Sequence, residues 1–194
     1  MFVDYQVENV LSFGRIASIS MMEQRKTTRH KDHVVESAGV RCLRGAVVYG
    51  PNASGKSNLI TSIGLLKAAI DADDCKVLDG NQFALCKEQN PVMSWRITFT
   101  AGNDLFVFSL KTDGAVVLEE SLDIIGEEIE PLYYRHKNTI RLGPLLATDK
   151  WFDAKVRTNA FYLRKVVSEG LFERKPVTVA SRKMSEAIGS LTSV

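Results

Sequence analysis

The chain begins with an alternation of apolar and polar side chains. Within residues 2–10, valine and tyrosine alternate with acidic and amide residues, and this period of two places one set on each face of a β-strand. A turn at residues 12–14 leads to a second short apolar stretch at residues 15–19. We therefore predict two strands here. The polar residues 23–36 that follow are predicted to form a surface loop.

The pattern changes at residue 41. Residues 41–49 end in the compact apolar run Ala-Val-Val-Tyr, which predicts a buried strand. A glycine-containing segment follows at residues 50–55. Apolar residues then recur at intervals of three and four through residues 57–70, which predicts an amphipathic helix. Aspartates and a glycine within residues 71–80 are turn formers that end this helix.

Residues 92–142 return to the period of two. An Asp-Gly pair at residues 113–114 lies between two apolar stretches, which is a strong hairpin signal, and residues 137–138 indicate a second hairpin. We therefore expect an antiparallel β-meander. Beyond this region the sequence predicts helices at residues 151–157, 162–174 and 179–190. The whole pattern predicts an α/β fold, in which a strand–loop–helix unit is joined to the meander and followed by C-terminal helices.

Length and composition narrow the class of protein. The 194 residues suit one medium domain or slightly more. No apolar run approaches the roughly 18 residues of a membrane span, so we expect no membrane partner. The N-terminus has no basic segment of a secretory signal. The three cysteines, an odd and scattered set, suggest neither a disulfide framework nor a zinc site, and they indicate a reducing, cytoplasmic location.

Positive charge is concentrated towards the C-terminus. Residues 135–183 contain twelve Lys or Arg against four Asp or Glu, a local charge of +8 in a chain whose net charge is +2. Such an asymmetry permits an anionic partner, which could be DNA, RNA or an acidic protein. A solvated face of charged helices would give the same count. The sequence leaves both explanations open.

One segment carries a specific chemical signal. Residues 50–57 fit the phosphate-binding pattern GxxxxGK[ST] in full, in the order Gly50, Pro51, Asn52, Ala53, Ser54, Gly55, Lys56 and Ser57. Small residues let main-chain N–H groups approach phosphate oxygens, and the start of the following helix adds its positive dipole end. Lys56 would supply a charge to the outer phosphates, and the Ser57 hydroxyl would bind Mg²⁺. This predicts a nucleotide site for ATP and Mg²⁺.

Hydrolysis would also need a carboxylate on the metal. Glu119 and Glu120 follow the apolar residues 115–118, as such a carboxylate should. The Asp-Gly turn, however, makes this strand the returning arm of an antiparallel hairpin, whereas a metal-binding carboxylate belongs at the end of a parallel strand. We therefore favour two solvent-facing acids on a surface hairpin over a metal site.

Two blocks of sequence resemble a known family. Residues 7–14 (Val-Glu-Asn-Val-Leu-Ser-Phe-Gly) and 48–60 (Val-Tyr-Gly-Pro-Asn-Ala-Ser-Gly-Lys-Ser-Asn-Leu-Ile) resemble the N-terminal part of the heads of SMC-like, ABC-type ATPases. They are similar in particular to the AAA/OLD-type ATP-binding proteins of bacterial anti-phage defence. The antiparallel strands from residue 92 also resemble those heads. The resemblance covers about the first 165 residues.

The resemblance implies a fold and a set of site residues. Residues 1–163 would be the N-terminal part of an ABC/SMC-like P-loop NTPase head, and residues 164–194 the start of a helical region. Residues 52–58 would surround the β- and γ-phosphates, which adds Asn58 to the nucleotide-binding set, with Ser57 on Mg²⁺. Gln82 is the candidate for the glutamine that the family places on Mg²⁺ and the attacking water. Glu120 is the second candidate catalytic residue.

The same resemblance implies ATP hydrolysis in a composite site. Such heads form homo-oligomers, and in this family they power or gate an effector such as a nuclease or toxin. The signature loop and the strand ending in Asp-Glu that the family uses are not found in this sequence. We therefore expect negligible hydrolysis by these residues alone. They would be either part of a longer protein, which we favour, or a degenerate nucleotide binder.

Two other functional classes stay open. One is a non-catalytic nucleotide-sensing scaffold, which would bind nucleic acid or an effector protein through residues 135–183. The other is a small P-loop kinase or GTPase with Glu119 or Glu120 on Mg²⁺, and it predicts a parallel sheet through residues 92–142.

Overall fold

The computed structural model describes residues 1–24, 31–85, 92–145, 156–168 and 184. Its main element is a seven-stranded sheet in the order β2-β1-β5-β6-β7-β8-β9, in which every neighbouring pair is antiparallel. The strands are β1 (Phe2–Glu8), β2 (Ala17–Ser20), β5 (Met93–Ala101), β6 (Asp104–Thr112), β7 (Val117–Ile125), β8 (Ile129–His136) and β9 (Thr139–Leu142). A separate two-stranded sheet contains β3 (Val34–Ser37) and β4 (Val40–Leu43).

The sheet has one apolar and one polar face because its strands keep the period of two in register. Tyr5, Trp95 and Phe108 lie on the buried face. A cross-strand row of the opposite face pairs Gln6 with Arg96, Arg96 with Ser109, Ser109 with Ser121, and Ser121 with Tyr134. The two predicted N-terminal strands, the antiparallel meander and both of its predicted hairpins are confirmed.

The first helix covers the apolar face of the sheet. It is α1 (Lys56–Ala72), which confirms the helix predicted at residues 57–70. Its buried residues are Leu59, Ser62, Ile63, Leu66, Ala69 and Ile70. Ser62 joins the helix to the sheet, because its hydroxyl accepts from the Tyr5 hydroxyl at 2.8 Å and its carbonyl accepts from the Trp95 indole at 3.3 Å.

The strand predicted at residues 41–49 is wrong over most of its length. Only its beginning is extended, in β4, which pairs antiparallel with β3. Residues 44–49 form no strand, and the side chains of Val47 and Tyr49 are 87% and 90% exposed. A strand needs a neighbour for its backbone groups, and among the described residues none pairs with residues 45–49. The polar segment 23–36 also differs from the prediction, since β3 begins at Val34.

The C-terminal helices are described only in part. The helix α2 (Tyr162–Ser168) lies within the predicted helix 162–174, and Met184 is helical. The remainder of the helices predicted at 162–174 and 179–190, and most of that at 151–157, fall outside the described residues. The division predicted at residues 163/164 falls within α2. No helix of the described ranges is long and apolar enough to cross a membrane.

Two short 3-10 helices complete the described elements, at Lys31–His33 and Cys75–Leu78. The second follows α1 directly, after Asp73 has ended that helix in a left-handed conformation. Cys42 and Cys75 are buried free thiols.

Candidate functional site

The phosphate-binding pattern occupies an exposed loop at the start of α1. Gly55 is the N-cap of this 17-residue helix, with φ of 88°, and no side chain caps the first turn. The first intrahelical bond runs from the Leu59 N–H to the Gly55 carbonyl at 3.0 Å. The preceding N–H groups of the first turn therefore have no intrahelical acceptor, and the positive end of the helix dipole lies at the same place.

The Lys56 side chain turns back into the loop. Its ammonium group donates to the carbonyls of Gly50 and Pro51 at 2.8 and 2.6 Å, and to the Ser54 hydroxyl at 3.4 Å. The loop carbonyls therefore fix a positive charge inside the curve of the backbone. This charge lies beside the uncapped start of α1, so both favour an anion at the same position.

The loop backbone alternates in handedness. Ala53 and Gly55 have φ of 62° and 88°, whereas Ser54 between them is not in the left-handed region. Alternation of this kind aims successive N–H groups at one point and forms an anion-binding concavity. At Gly55 a side chain would also be crowded, because a Cβ atom would lie 3.3 Å from Cε1 of Phe13. The φ of 88° favours glycine at this position, and a side chain here would require Phe13 or Ser12 to shift by a few tenths of an ångström.

A cleft of about 360 Å³ lies beside the loop. Besides residues of the loop and Leu59, it is lined by Phe13, Ala17, Ser18, Val48 and Tyr49. Ser57 is exposed in the first turn of α1 and Asn58 is half-buried. A Mg²⁺ ion on the Ser57 hydroxyl would take its other ligands from phosphate oxygens and water. The described residues hold no group of three or more His, Cys, Asp or Glu placed to bind a metal ion.

Glu120, the second catalytic candidate, is completely buried, so the expectation of a solvent-facing acid is wrong for this residue. Its carboxylate accepts from the Tyr133 hydroxyl at 2.8 Å and from the N–H groups of Tyr162 and Leu163 at 2.9 Å each. It also faces Arg135 at 3.4 Å. Burial raises the pKa of Glu120, while the N–H of Leu163 and the charge of Arg135 lower it. The acceptor positions are occupied by the protein itself, which favours a structural role.

Arg135 is one of the basic residues counted in residues 135–183, but its charge does not lie on the protein surface. The side chain is fully buried, and its guanidinium donates to the carbonyls of Lys137 and Arg157 at 2.7 and 2.9 Å and to that of Ala160. One of the twelve positive charges counted in residues 135–183 is therefore internal. Most of that region lies outside the described residues, and its binding of nucleic acid stays a prediction.

Glu119 has an ordinary surface environment. It forms an ion pair with Lys111 at 2.8 Å, across the hairpin of β6 and β7. Its strand is antiparallel to both neighbours, so the parallel sheet that the kinase or GTPase alternative predicts is not formed in residues 92–142.

Gln82 lies at the β6–β7 hairpin. Its amide nitrogen donates to the Asp113 carbonyl at 2.9 Å, and its backbone pairs with that of Val10 in an isolated antiparallel bridge. Neither Gln82 nor Glu120 is among the residues that line the cleft beside the loop. The structure brings the residues of the motif together and leaves both catalytic candidates elsewhere.

Sequence reasoning missed Phe13 and Ser12 as neighbours of the loop. Residues 12–14 were predicted as a turn, but their contact with Gly55 joins positions more than forty residues apart. Local patterns do not encode such contacts. The one available signal is Gly55 itself, because an obligatory glycine often marks a close approach of another segment.

Comparison of the chain with protein-family models, with curated proteins and with solved structures gave no match. The resemblance of residues 7–14 and 48–60 to SMC-like ATPase heads is therefore an expectation that rests on the motifs. The features that bear directly on function are those of the loop and of the cleft beside it.

Proposed function

We propose that residues 50–58 bind the phosphate tail of a nucleoside triphosphate together with Mg²⁺, and that the nucleotide is ATP. The observation that carries this proposal is the Lys56 ammonium, held by two carbonyls inside a loop of alternating handedness at the uncapped start of α1. A lysine with a purely solvated role would extend into water, because its ammonium is strongly hydrated.

Three groups of the chain would act on the phosphates. The main-chain N–H groups around Gly55 would donate to the β-phosphate, aided by a helix dipole equivalent to about half a charge. Lys56 would exchange its carbonyl acceptors for phosphate oxygens, since charge-assisted bonds to an anion are the stronger ones. The Ser57 hydroxyl would bind Mg²⁺, which bridges the β- and γ-phosphates in loops of this type.

The cleft supports a nucleotide over a simple phosphate ion. Its volume of about 360 Å³ lies within the roughly 300–1,000 Å³ range of ligand pockets. Two aromatic residues, Phe13 and Tyr49, are among the residues that line it. A base or ribose could pack against such walls while the loop holds the phosphates.

Hydrolysis, in this proposal, takes place in a site completed by a second head. No Asp or Glu is among the described residues that line the cleft, and Glu120 is occupied within the fold. The apolar run before the loop is also exposed, at Val47 and Tyr49. A homo-oligomer of heads that powers or gates an anti-phage effector, such as a nuclease, fits the motif resemblance. This larger assignment rests on that resemblance alone.

Titration calorimetry of the wild-type chain with Mg-ATP tests the proposal. We expect saturable binding that Lys56→Ala weakens roughly 10- to 150-fold, the loss of charge-assisted hydrogen bonds. Lys67→Ala is the matched control, since Lys67 is on the same helix and pairs with Asp71 away from the loop. It should bind Mg-ATP like the wild type.

The melting temperature of Lys56→Ala should stay close to that of the wild type, because Lys56 bonds only to the exposed loop. Absence of saturable binding in the wild type, or equal affinities of the wild type and Lys56→Ala, would refute the proposal. A comparison with Mg-GTP in the same titration decides the preference for the base.

A further inference from the structure

The turn between β1 and β2, residues 9–14, lies against the loop on one side. Val10 and Phe13 close this turn with two backbone hydrogen bonds of 3.2 and 2.8 Å. Gly55 packs against it, because a Cβ atom at Gly55 would lie 3.3 Å from both Cε1 of Phe13 and Oγ of Ser12. Phe13 and Gly55 are half-buried and Ser12 is exposed, so this is a surface contact. It limits how far the Gly55 backbone can move towards the β1–β2 turn.

The other side of the β1–β2 turn is bonded to residues 81–83. The Leu11 N–H donates to the Asn81 carbonyl at 2.8 Å, and the Phe83 N–H donates to the Asn9 carbonyl at 3.1 Å. Asn9 and Leu11 both have positive φ, 56° and 53°. Asparagine adopts this conformation fairly often, but leucine keeps it only where the surrounding structure fixes it. The two bonds to residues 81–83 provide that constraint.

One side chain joins residues 81–83 to the β6–β7 hairpin. Nε2 of Gln82 donates to the Asp113 carbonyl at 2.9 Å. Gly114, the next residue of the hairpin, is so close that a Cβ atom there would lie 2.9 Å from the same nitrogen. The hairpin joins β6 and β7, two interior strands of the seven-stranded sheet.

We propose that Gln82 is a positioning residue, which holds residues 81–83 on the β6–β7 hairpin so that the β1–β2 turn is pressed against Gly55. The conformation of the phosphate-binding loop would then depend on two contacts: its covalent continuation into α1, and this path from the sheet through residues 81–83 and the β1–β2 turn. The inference rests on the proposed function for its consequence, nucleotide affinity, but the path itself can be tested without nucleotide.

This role differs from that of a glutamine bound to metal or water. The donor of Gln82 is used by a main-chain carbonyl, and the residue does not line the cleft. A direct ligand would affect only bound states. A positioning residue changes the loop in the ligand-free protein as well.

The first test follows the Gly55 amide resonance in ¹⁵N-labelled, ligand-free protein. Gln82→Ala removes the donor, and Gln82→Glu keeps the volume but cannot donate to the Asp113 carbonyl when ionised. We expect both variants to shift the Gly55 resonance, although Gln82 does not touch Gly55. Gln24→Ala is the control, because Gln24 is an exposed glutamine. A Gly55 resonance that coincides with wild type in either folded Gln82 variant would overturn the inference.

The second test compares Mg-ATP with Mg-tripolyphosphate, which has no base or ribose. A distorted loop should weaken both ligands by the same factor, roughly three- to tenfold for the loss of one neutral hydrogen bond. Weaker ATP binding with unchanged tripolyphosphate binding would make Gln82 a contact of the base or ribose and would overturn the inference. If the wild type binds neither ligand, the proposed function fails, and the Gly55 resonance still decides the positioning role.

Discussion

The first turns of α1 and α2 both have main-chain N–H groups without intrahelical acceptors, but the two helices differ in what lies opposite those groups. At α2, the N–H groups of Tyr162 and Leu163 donate to a buried carboxylate of the protein, Glu120. At α1, no side chain caps the first turn, and the Lys56 ammonium donates to carbonyls of the loop beside it. One helix start is thus neutralised by an internal anion. At the other, the positive end of the helix dipole and the Lys56 ammonium lie close together, so both favour an anion at that position.

The anion at the start of α2 is part of the fold, whereas the start of α1 is the proposed ligand site. Glu120 and Arg135 are both fully buried, and between them they join β7, β8 and the residues before α2. The loop is exposed and is held mainly by α1 and by its contact with the β1–β2 turn. Substitutions at the first site should therefore change stability, and substitutions at the second should change affinity.

The largest expected effect is the loss of the internal anion. Glu120→Ala leaves Arg135 buried without its charge partner and two N–H groups of α2 without an acceptor. We expect the free energy of unfolding to fall by about 3–5 kcal/mol, measured by urea denaturation. Glu119→Ala is the neighbouring control, and loss of its exposed ion pair with Lys111 should cost less than about 1 kcal/mol. Equal losses in the free energy of unfolding in the two variants would show that the Glu120 carboxylate stabilises the fold no more than a surface ion pair does.

A smaller effect is expected in the body of α1. Gly64 lies in the interior of this helix, and a Cβ atom there would meet nothing within 4 Å. Gly64→Ala should raise the free energy of unfolding by about 0.5–1 kcal/mol, because alanine restricts the unfolded chain and favours the helix. The affinity for Mg-ATP should not change. A gain in the free energy of unfolding accompanied by weaker Mg-ATP binding would show that the stability of α1 and the affinity of the loop are coupled.

The smallest effect is expected in the run before the loop. Val47 and Tyr49 are almost fully exposed, so replacing both with serine should change the free energy of unfolding by no more than about 0.5 kcal/mol. Phe108→Ala, in the centre of the sheet, is the contrasting variant and should cost about 3–5 kcal/mol. A large loss from the serine pair in the purified chain would show that the run is covered in solution.

Local sequence patterns were sufficient to predict the strands of the meander and the first helix. The alternation in β5, the Asp-Gly turn and the helical spacing after Lys56 are each encoded within a dozen residues. The run Ala-Val-Val-Tyr before the loop shows the limit of such patterns. Its composition favours a strand, but a strand forms only beside a partner, and the described residues offer none.

The site could be predicted only where it is continuous in sequence. The loop of residues 50–57 carries its own motif, whereas Glu120 is buried by α2, whose start lies 42 residues further along the chain. The period of two in β7 does separate the two acids, because Glu120 is in phase with Leu122 and Ile124, whereas Glu119 is in phase with Ser121 and Asp123. What this alternation does not encode is the contact with α2 that satisfies the Glu120 carboxylate. The contact of Phe13 with Gly55 was missed for the same reason.

We propose above that main-chain amides of the loop bind a triphosphate. The most direct test of this proposal is a titration of ¹⁵N-labelled protein with Mg-ATP, in which each amide resonance reports on its own surroundings. We expect saturable shifts concentrated in residues 50–58, with little change in the sheet around Glu120. In Lys56→Ala the same shifts should need a roughly 10- to 150-fold higher Mg-ATP concentration. Shifts that do not saturate, or that saturate at another surface while the loop amides stay unchanged, would contradict it.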